Sequence, residues 1–122
     1  MISPSSYSSV NLAEKLAQFD DHWSPRTAAT FNGHDVMVVK AKGEFVWHHH
    51  DDTEDLFLVL SGRITIRLRN GEVSLGPGEL FVVPVGREHQ PVAEEEAELL
   101  LIEPTGTLNT GDAETAAERI EL

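Results

Sequence analysis

Three histidines stand side by side at His48, His49 and His50, and four carboxylates follow at Asp51, Asp52, Glu54 and Asp55. Imidazole and carboxylate side chains are common protein ligands of divalent metal ions. Along an extended chain successive side chains alternate, so His48 and His50 share one face and His49 points to the other. At a rise of roughly 3.4 Å per residue, the Cα atoms of 48 and 50 lie about 7 Å apart. Two imidazoles at that spacing can converge on one ion through bonds of about 2 Å. A third imidazole, His89, follows the apolar run Leu80–Val83 and the turn residues Pro84 and Gly86. Pairing the two segments as strands would bring His89 beside the first pair. Three neutral imidazoles and one carboxylate suit a borderline divalent ion such as Zn²⁺, Fe²⁺, Mn²⁺, Ni²⁺ or Cu²⁺.

Other chemically capable residues read more plainly. His49 falls on the outward face, and His22 and His34 lie outside both segments. Trp47, Phe45 and Phe57 read as packing residues rather than stacking platforms. Glu94-Glu95-Glu96 reads as a solvated turn, and Arg87 as a surface ion-pairing residue.

The surrounding pattern predicts how these residues are positioned. Leu12, Leu16 and Phe19 form an apolar stripe at helical spacing, so residues 9–20 read as a short helix capped by Ser9 or Asn11 and closed off by Pro25. From Arg26 onward the pattern is short strands separated by turns. Asn32-Gly33 divides Thr27–Phe31 from Asp35–Lys42, and Glu44–His50 carries the first histidines. Leu56–Leu60 is apolar throughout, which predicts burial of both faces and leaves Glu54 and Asp55 as alternative carboxylates of the site. Arg63–Arg69 alternates with Ile64, Ile66 and Leu68 on one side, and Asn70-Gly71 turns it into Glu72–Leu75. Leu80–Val83 and Ala97–Glu103 complete the set. Many short strands with regular turns predict an all-β chain, an antiparallel sandwich or barrel with a short N-terminal helix. The expected organisation is a single domain over 1–122: a helical arm at 1–25, the barrel at 26–104 and a tail at 105–122. Within the tail, Asp112–Ile120 has helical composition but is equally compatible with extended chain.

A chain of 122 residues suits one domain, and its 40% apolar and 25% charged content is ordinary for a globular protein. The formal net charge of −12 disfavours nucleic acid and anionic membranes as partners. There are no cysteines, which excludes disulfides, thiolate ligands and thiol nucleophiles. No apolar run is long enough to span a membrane. The Ser-rich stretch Met1–Val10 lacks the features of a secretory signal, so a cytoplasmic location is expected.

The two histidine segments resemble the two motifs of the cupin superfamily. The first motif is matched by Gly43, His48-x-His50, Asp55 and Gly62, and the second by Gly78 and Pro84-x-Gly86-x-x-His89. The spacer after Gly43 is one residue short, Ala93 stands where the family often has Asn, and Asp55 stands where it usually has Glu. In register with Gly62 the acidic ligand position is Asp55. Trp23-Ser24-Pro25, Trp47, Glu103-Pro104 and Asn109-Thr110-Gly111 look like a subgroup of small bacterial one-barrel cupins, often labelled mannose-6-phosphate-isomerase-like. The resemblance implies a jelly-roll barrel with a metal held by His48, His50, Asp55 and His89, and a homodimer contacting through the N-terminal helix and first strands. It implies a small-molecule ligand or substrate at the barrel mouth. Three functions follow as expectations: an isomerase-, lyase- or dioxygenase-like metalloenzyme, a non-catalytic metal- and small-molecule-binding module, or a barrel with a vestigial site.

Overall fold

The computed structural model describes residues 7–112, 116 and 120–122. Its elements run α1 (Leu12–Leu16), β1 (Arg26–Phe31), β2 (His34–Glu44), β3 (Asp55–Ser61), β4 (Ile64–Leu68), β5 (Gly71–Leu75), β6 (Leu80–Val83), β7 (His89–Pro104) and β8 (Ile120–Glu121). The helix is shorter than its apolar stripe predicts. Asn11 caps it, its side chain accepting from the Glu14 amide at 3.0 Å. Leu16 and Phe19 pack on Val38, the outward side of β2.

The long strand β7 organises the sheet. One of its edges pairs with β2 from His34↔Pro104 to Glu44↔Val92. Its other edge is shared: the N-terminal end pairs with β4 and the C-terminal end with β3. β4 carries β5, β3 carries β6, and β2 carries β1. Every pair is antiparallel except β8, which lies parallel to β1. This is a jelly roll, and among the described residues its ladders do not join into a closed ring.

Alternation selects the core. Odd-numbered residues of β2, β3 and β7 turn inward: Met37, Val39 and Ala41, then Phe57 and Val59, then Ala97, Leu99 and Leu101. Ile64, Ile66 and Leu75 join them from β4 and β5. The expectation that both faces of Leu56–Leu60 are buried holds for one face only. Phe57 and Val59 are 4% and 1% exposed, whereas Leu56, Leu58 and Leu60 are half-buried on the outside.

Three further expectations are corrected. Residues 48–50 do not form a regular strand; His48 makes an isolated bridge to His89. The last strand begins at His89, eight residues before Ala97, because the β4 ladder extends it. Glu94–Glu96 is not a turn. The register shifts there from Ala41↔Ala97 to Gly43↔Ala93, so β7 carries two extra residues and this acidic stretch bulges into solvent. The ambiguous stretch Asp112–Ile120 lies mostly outside the described residues.

Gly62 ends β3 at φ +79°, where a Cβ would stand 2.9 Å from the Ala97 Cα and from the Glu96 oxygen. Gly62→Ala therefore combines a left-handed backbone with a backbone clash, and we expect it to lower unfolding stability by about 2–4 kcal/mol. Urea titration checks this; a loss under about 0.5 kcal/mol, the size of an ordinary surface change, would contradict the reading.

Candidate metal centre

The site is built by bringing the loop before β3 against the start of β7. The His48 amide donates to the His89 carbonyl at 3.0 Å, and the His89 amide donates back to His48 at 2.9 Å. The turn at Pro84–Arg87 docks on the same loop. Gly86, at φ +73°, donates its amide to the His50 carbonyl at 2.8 Å. His48 and His50 still share the inward side although the segment is irregular, and His49 turns out to pair with Asp51 at 3.0 Å.

His48, His50, Asp55 and His89 are all buried and come together: each offers one ligand atom, and these atoms lie within 4.8 Å of one another. Asp55 is the inward member of the two candidate carboxylates. It heads the face that continues through Phe57 and Val59, while Glu54 is exposed. Asp55 Oδ2 lies 3.2 Å from His89 Nε2 and 3.3 Å from His50 Nε2. The aspartate, one methylene shorter than a glutamate, therefore reaches the imidazoles.

Ring orientation is fixed by backbone carbonyls. His48 Nδ1 lies 2.9 Å from the Val46 oxygen, and His89 Nδ1 lies 2.9 Å from the Arg87 oxygen. A carbonyl only accepts, so Nδ1 carries the proton and, in the neutral ring, Nε2 presents its lone pair to the cluster. Two buried atoms at the centre, His50 Nε2 and Asp55 Oδ1, have no hydrogen-bond partner. Buried polar atoms are rarely left so, and a missing ion is one standard reason. The donor set and these two atoms fit a divalent cation.

The electrostatics agree. Burial, reinforced by the neighbouring His89 and His50, lowers the His48 pKa to about 4, so its ring is neutral and available near neutral pH. Burial alone would raise the Asp55 pKa, but the close approach of the His50 and His89 rings outweighs it and brings the value down to about 2.

A small cavity of about 30 Å³ adjoins the cluster. His48 and Asp55 line it on one side, and Trp23, Phe45, Phe57 and Leu101 supply apolar wall. Trp23 adopts φ 60°, unusual for a bulky residue. Its indole N–H donates to the Lys42 carbonyl at 2.8 Å and its ring stacks on Phe45 at 5.0 Å, which holds the strained backbone in place. Asn109 closes another edge, donating to the Trp23 carbonyl at 3.4 Å. Gly111 packs so tightly on His49 that a Cβ would overlap its carbonyl oxygen.

Glu103 is the site residue that motif reasoning missed. It is 2% exposed, lines the same cavity and places Oε2 3.6 Å from His50 Nε2. Extending the alternation Leu99–Leu101 by two residues would have found it. The remaining candidates stay apart from the cluster. His22 pairs with Glu96 at 2.7 Å, His34 turns back to the Asn32 carbonyl, and Arg87 is exposed and absent from the cavity wall. Trp47 lies under the Arg69 guanidinium at 3.9 Å, and Phe57 packs in the core.

These shifts fix a pH dependence for the metal-free protein. The unfolded chain binds a proton at His48 below its ordinary pKa of 6.5, whereas the folded chain resists until about 4. Stability is therefore present above that range and is lost as pH falls through it, with Asp55 adding a second loss between 3.8 and about 2. Urea midpoints should fall between about pH 7 and about pH 5, and His48→Gln should shrink the fall. An identical pH slope in the variant would sink this assignment.

Comparison with known proteins places the site in a family. Residues 35–103 match the Cupin_2 model, described as a cupin domain. A cupin-2 domain containing protein from Shewanella frigidimarina is 43% identical with a TM-score of 0.77, covering 78% of this chain and 93% of that one. The uncharacterised protein YdbB of Bacillus subtilis is 35% identical over 60 residues, covering 48% of this chain; the match spans about half (53%) of that relative's length. Hydroquinone 1,2-dioxygenase PnpCD, in complex with Cd²⁺ and 4-hydroxybenzonitrile, is 16% identical with a TM-score of 0.71, covering 93% of this chain and 76% of that one, a likeness of fold alone. With both histidine segments inside the matched region, the chain belongs to the cupin-domain family Cupin_2.

Proposed function

We propose that this chain holds one divalent transition-metal ion through His48, His50, Asp55 and His89 and acts as a metalloenzyme on a small molecule. The observation that carries the reading is the pair of buried atoms without a hydrogen-bond partner, His50 Nε2 and Asp55 Oδ1, at the centre of four converging ligand groups. The carbonyl bonds to two of the Nδ1 atoms support it by aiming Nε2 at the same place. When bound, such an ion supplies Lewis-acid polarisation or, as iron, redox chemistry. The chain's own contribution is to exclude water, fix the imidazole tautomers and present a mostly apolar wall to the ligand. Isomerase-, lyase- and dioxygenase-like reactions all fit these elements. The fold likeness to a hydroquinone dioxygenase supports the last of them. The mannose-6-phosphate-isomerase-like label describes a subgroup resemblance and carries no activity here.

The small cavity favours a second reading, a non-catalytic module that holds a metal with a compact ligand. Turnover separates the two. A metal-loaded protein that binds a small molecule and returns it unchanged is a binding module.

The metal assignment is tested by elemental analysis of protein purified without a histidine tag. Wild type should carry about one ion per chain. His48→Ala should lose it, with affinity lower by about 100-fold or more, exceeding the usual effect of outer-shell changes. Asp55→Ala should lose less. Equal occupancy in His48→Ala and wild type would overturn the assignment.

We also propose a homodimer. The outward side of β3, β6 and β7 carries Leu56, Leu58, Leu80, Leu100 and Ile102, with Leu80 56% exposed. A run that is apolar at every position suits a strand covered on both sides. The exposed leucines support a contact through that face, beside the helix and first strands that the family resemblance implies. Leu58→Glu should convert a dimer to a monomer in light scattering; a wild-type chain that runs as a monomer refutes the dimer.

A further inference from the structure

The His50 ring is held differently from its two neighbours. His48 Nδ1 and His89 Nδ1 each meet the carbonyl two residues earlier, those of Val46 and Arg87. The oxygen two residues before His50 is that of His48, and the His89 amide takes it at 2.9 Å. His50 Nδ1 is therefore not held by a carbonyl in this way. The residue is 5% exposed, and its Nε2 turns inward, 3.3 Å from Asp55 Oδ2. Its Nδ1 faces Gly111, 3.8 Å from where a Cβ on that residue would stand. His50 and Gly111 both line a groove of about 460 Å³, separate from the cavity that His48 and Asp55 line.

One wall of this groove is the loop 51–53, which exposes two carboxylates. Asp51 pairs with His49 at 3.0 Å, so Asp52 is the carboxylate offered to a ligand. The facing wall is built from two turns. The Thr107 amide donates to the Pro104 carbonyl at 3.1 Å, and the Gly111 amide to the Leu108 carbonyl at 2.9 Å. Leu108, 41% exposed, adds an apolar surface.

With an ion on Nε2, the neutral His50 ring keeps its proton on Nδ1 and can only donate there. The groove then offers an imidazole N–H donor, a carboxylate acceptor and an apolar wall. A hydroxyl both accepts and donates, so one kind of functional group meets both polar partners. An anion would be brought against Asp51 and Asp52, and an ammonium ion has no acceptor for the imidazole N–H.

We propose that this groove is a second binding site, for a neutral polyhydroxylated molecule, and that its occupant holds His50 from outside the ligand cluster. The inference rests on the metal reading for the state of His50. A hydroxyl accepting from Nδ1 does for His50 what the Val46 and Arg87 carbonyls do for His48 and His89. It raises the basicity of the ring toward the ion. Metal and groove ligand therefore tighten each other by equal factors.

The test titrates the tag-free full chain with Co²⁺, with and without sorbitol, a neutral polyol, following the visible absorption of the ion. Sorbitol should bind saturably, shift the Co²⁺ band and tighten Co²⁺ binding by about threefold to tenfold, up to the lower end of outer-shell effects. Gluconate, a similar skeleton with a carboxylate, should bind about tenfold more weakly than sorbitol. Asp52→Ala, a change at an exposed position, should weaken sorbitol binding by about tenfold, the loss of one hydrogen bond to a charged group. A merely structural loop would not link sorbitol affinity to Co²⁺ affinity. Co²⁺ uptake that sorbitol leaves unchanged overturns the proposal and leaves the metal assignment standing. So does equal sorbitol affinity in Asp52→Ala and wild type, or gluconate binding as tight as that of sorbitol. No Co²⁺ uptake by wild type removes the metal reading and, with it, the state of His50 on which this inference stands.

Discussion

Two reciprocal backbone hydrogen bonds between His48 and His89 hold the site together. They join segments about forty residues apart in the chain, and they are the point where the loop before β3 stops being a loop. The bridge sets the His48 and His89 rings 4.2 Å apart between centroids. The neighbouring contact, Gly86 on the His50 carbonyl, anchors the main chain that carries the third ring. Side-chain chemistry at the centre thus depends on main-chain bonds, which no single side-chain substitution removes. That is a robust way to preorganise a ligand set.

The long strand β7 explains why the bridge forms where it does. It pairs along one edge with β2 and along the other with β4 and then β3. Its first residue is a candidate ligand, His89, and Glu103 near its far end lines the same cavity. Two extra residues at Glu94–Glu96 bulge outward and let the strand serve both halves of the jelly roll. Inward residues on either side of the bulge, Ala93 and Ala97, are small and fully buried, so the strand bends without opening a void.

The walls of the cavity come from segments outside the sheet. Trp23 enters from the arm between α1 and β1, held in a left-handed backbone by its stack on Phe45 and its bond to Lys42. Asn109 and Gly111 come from the segment after β7 and lie against Trp23 and His49. Loops from both ends of the chain therefore meet over one set of ligands. They exclude water from a buried centre, where electrostatic interactions are strongest.

The amino-acid sequence by itself determined the strand pattern, the all-β class and three of the site's side chains. Alternation led to the expectation that His48 and His50 share one side, and His89 is marked by the Pro-x-Gly turn before it. The residue types also pointed to a borderline divalent ion as what such a set could hold, because imidazole and carboxylate chemistry does not depend on the fold. Glu54 and Asp55 stayed alternatives in the local pattern, because apolar residues on both sides of Leu56–Leu60 erase the period-two signal; only the family register favoured Asp55. Tertiary packing decided it: β3 turns Asp55 inward with Phe57 and Val59 and leaves Glu54 in solvent. Glu103 falls on the inward side of the Leu99–Leu101 alternation, but an acid after an apolar strand reads as its polar end until a ladder buries it opposite Asp35. Spacing along a chain fixes which side chains share a face, but which face becomes the interior is a property of the assembled sheet.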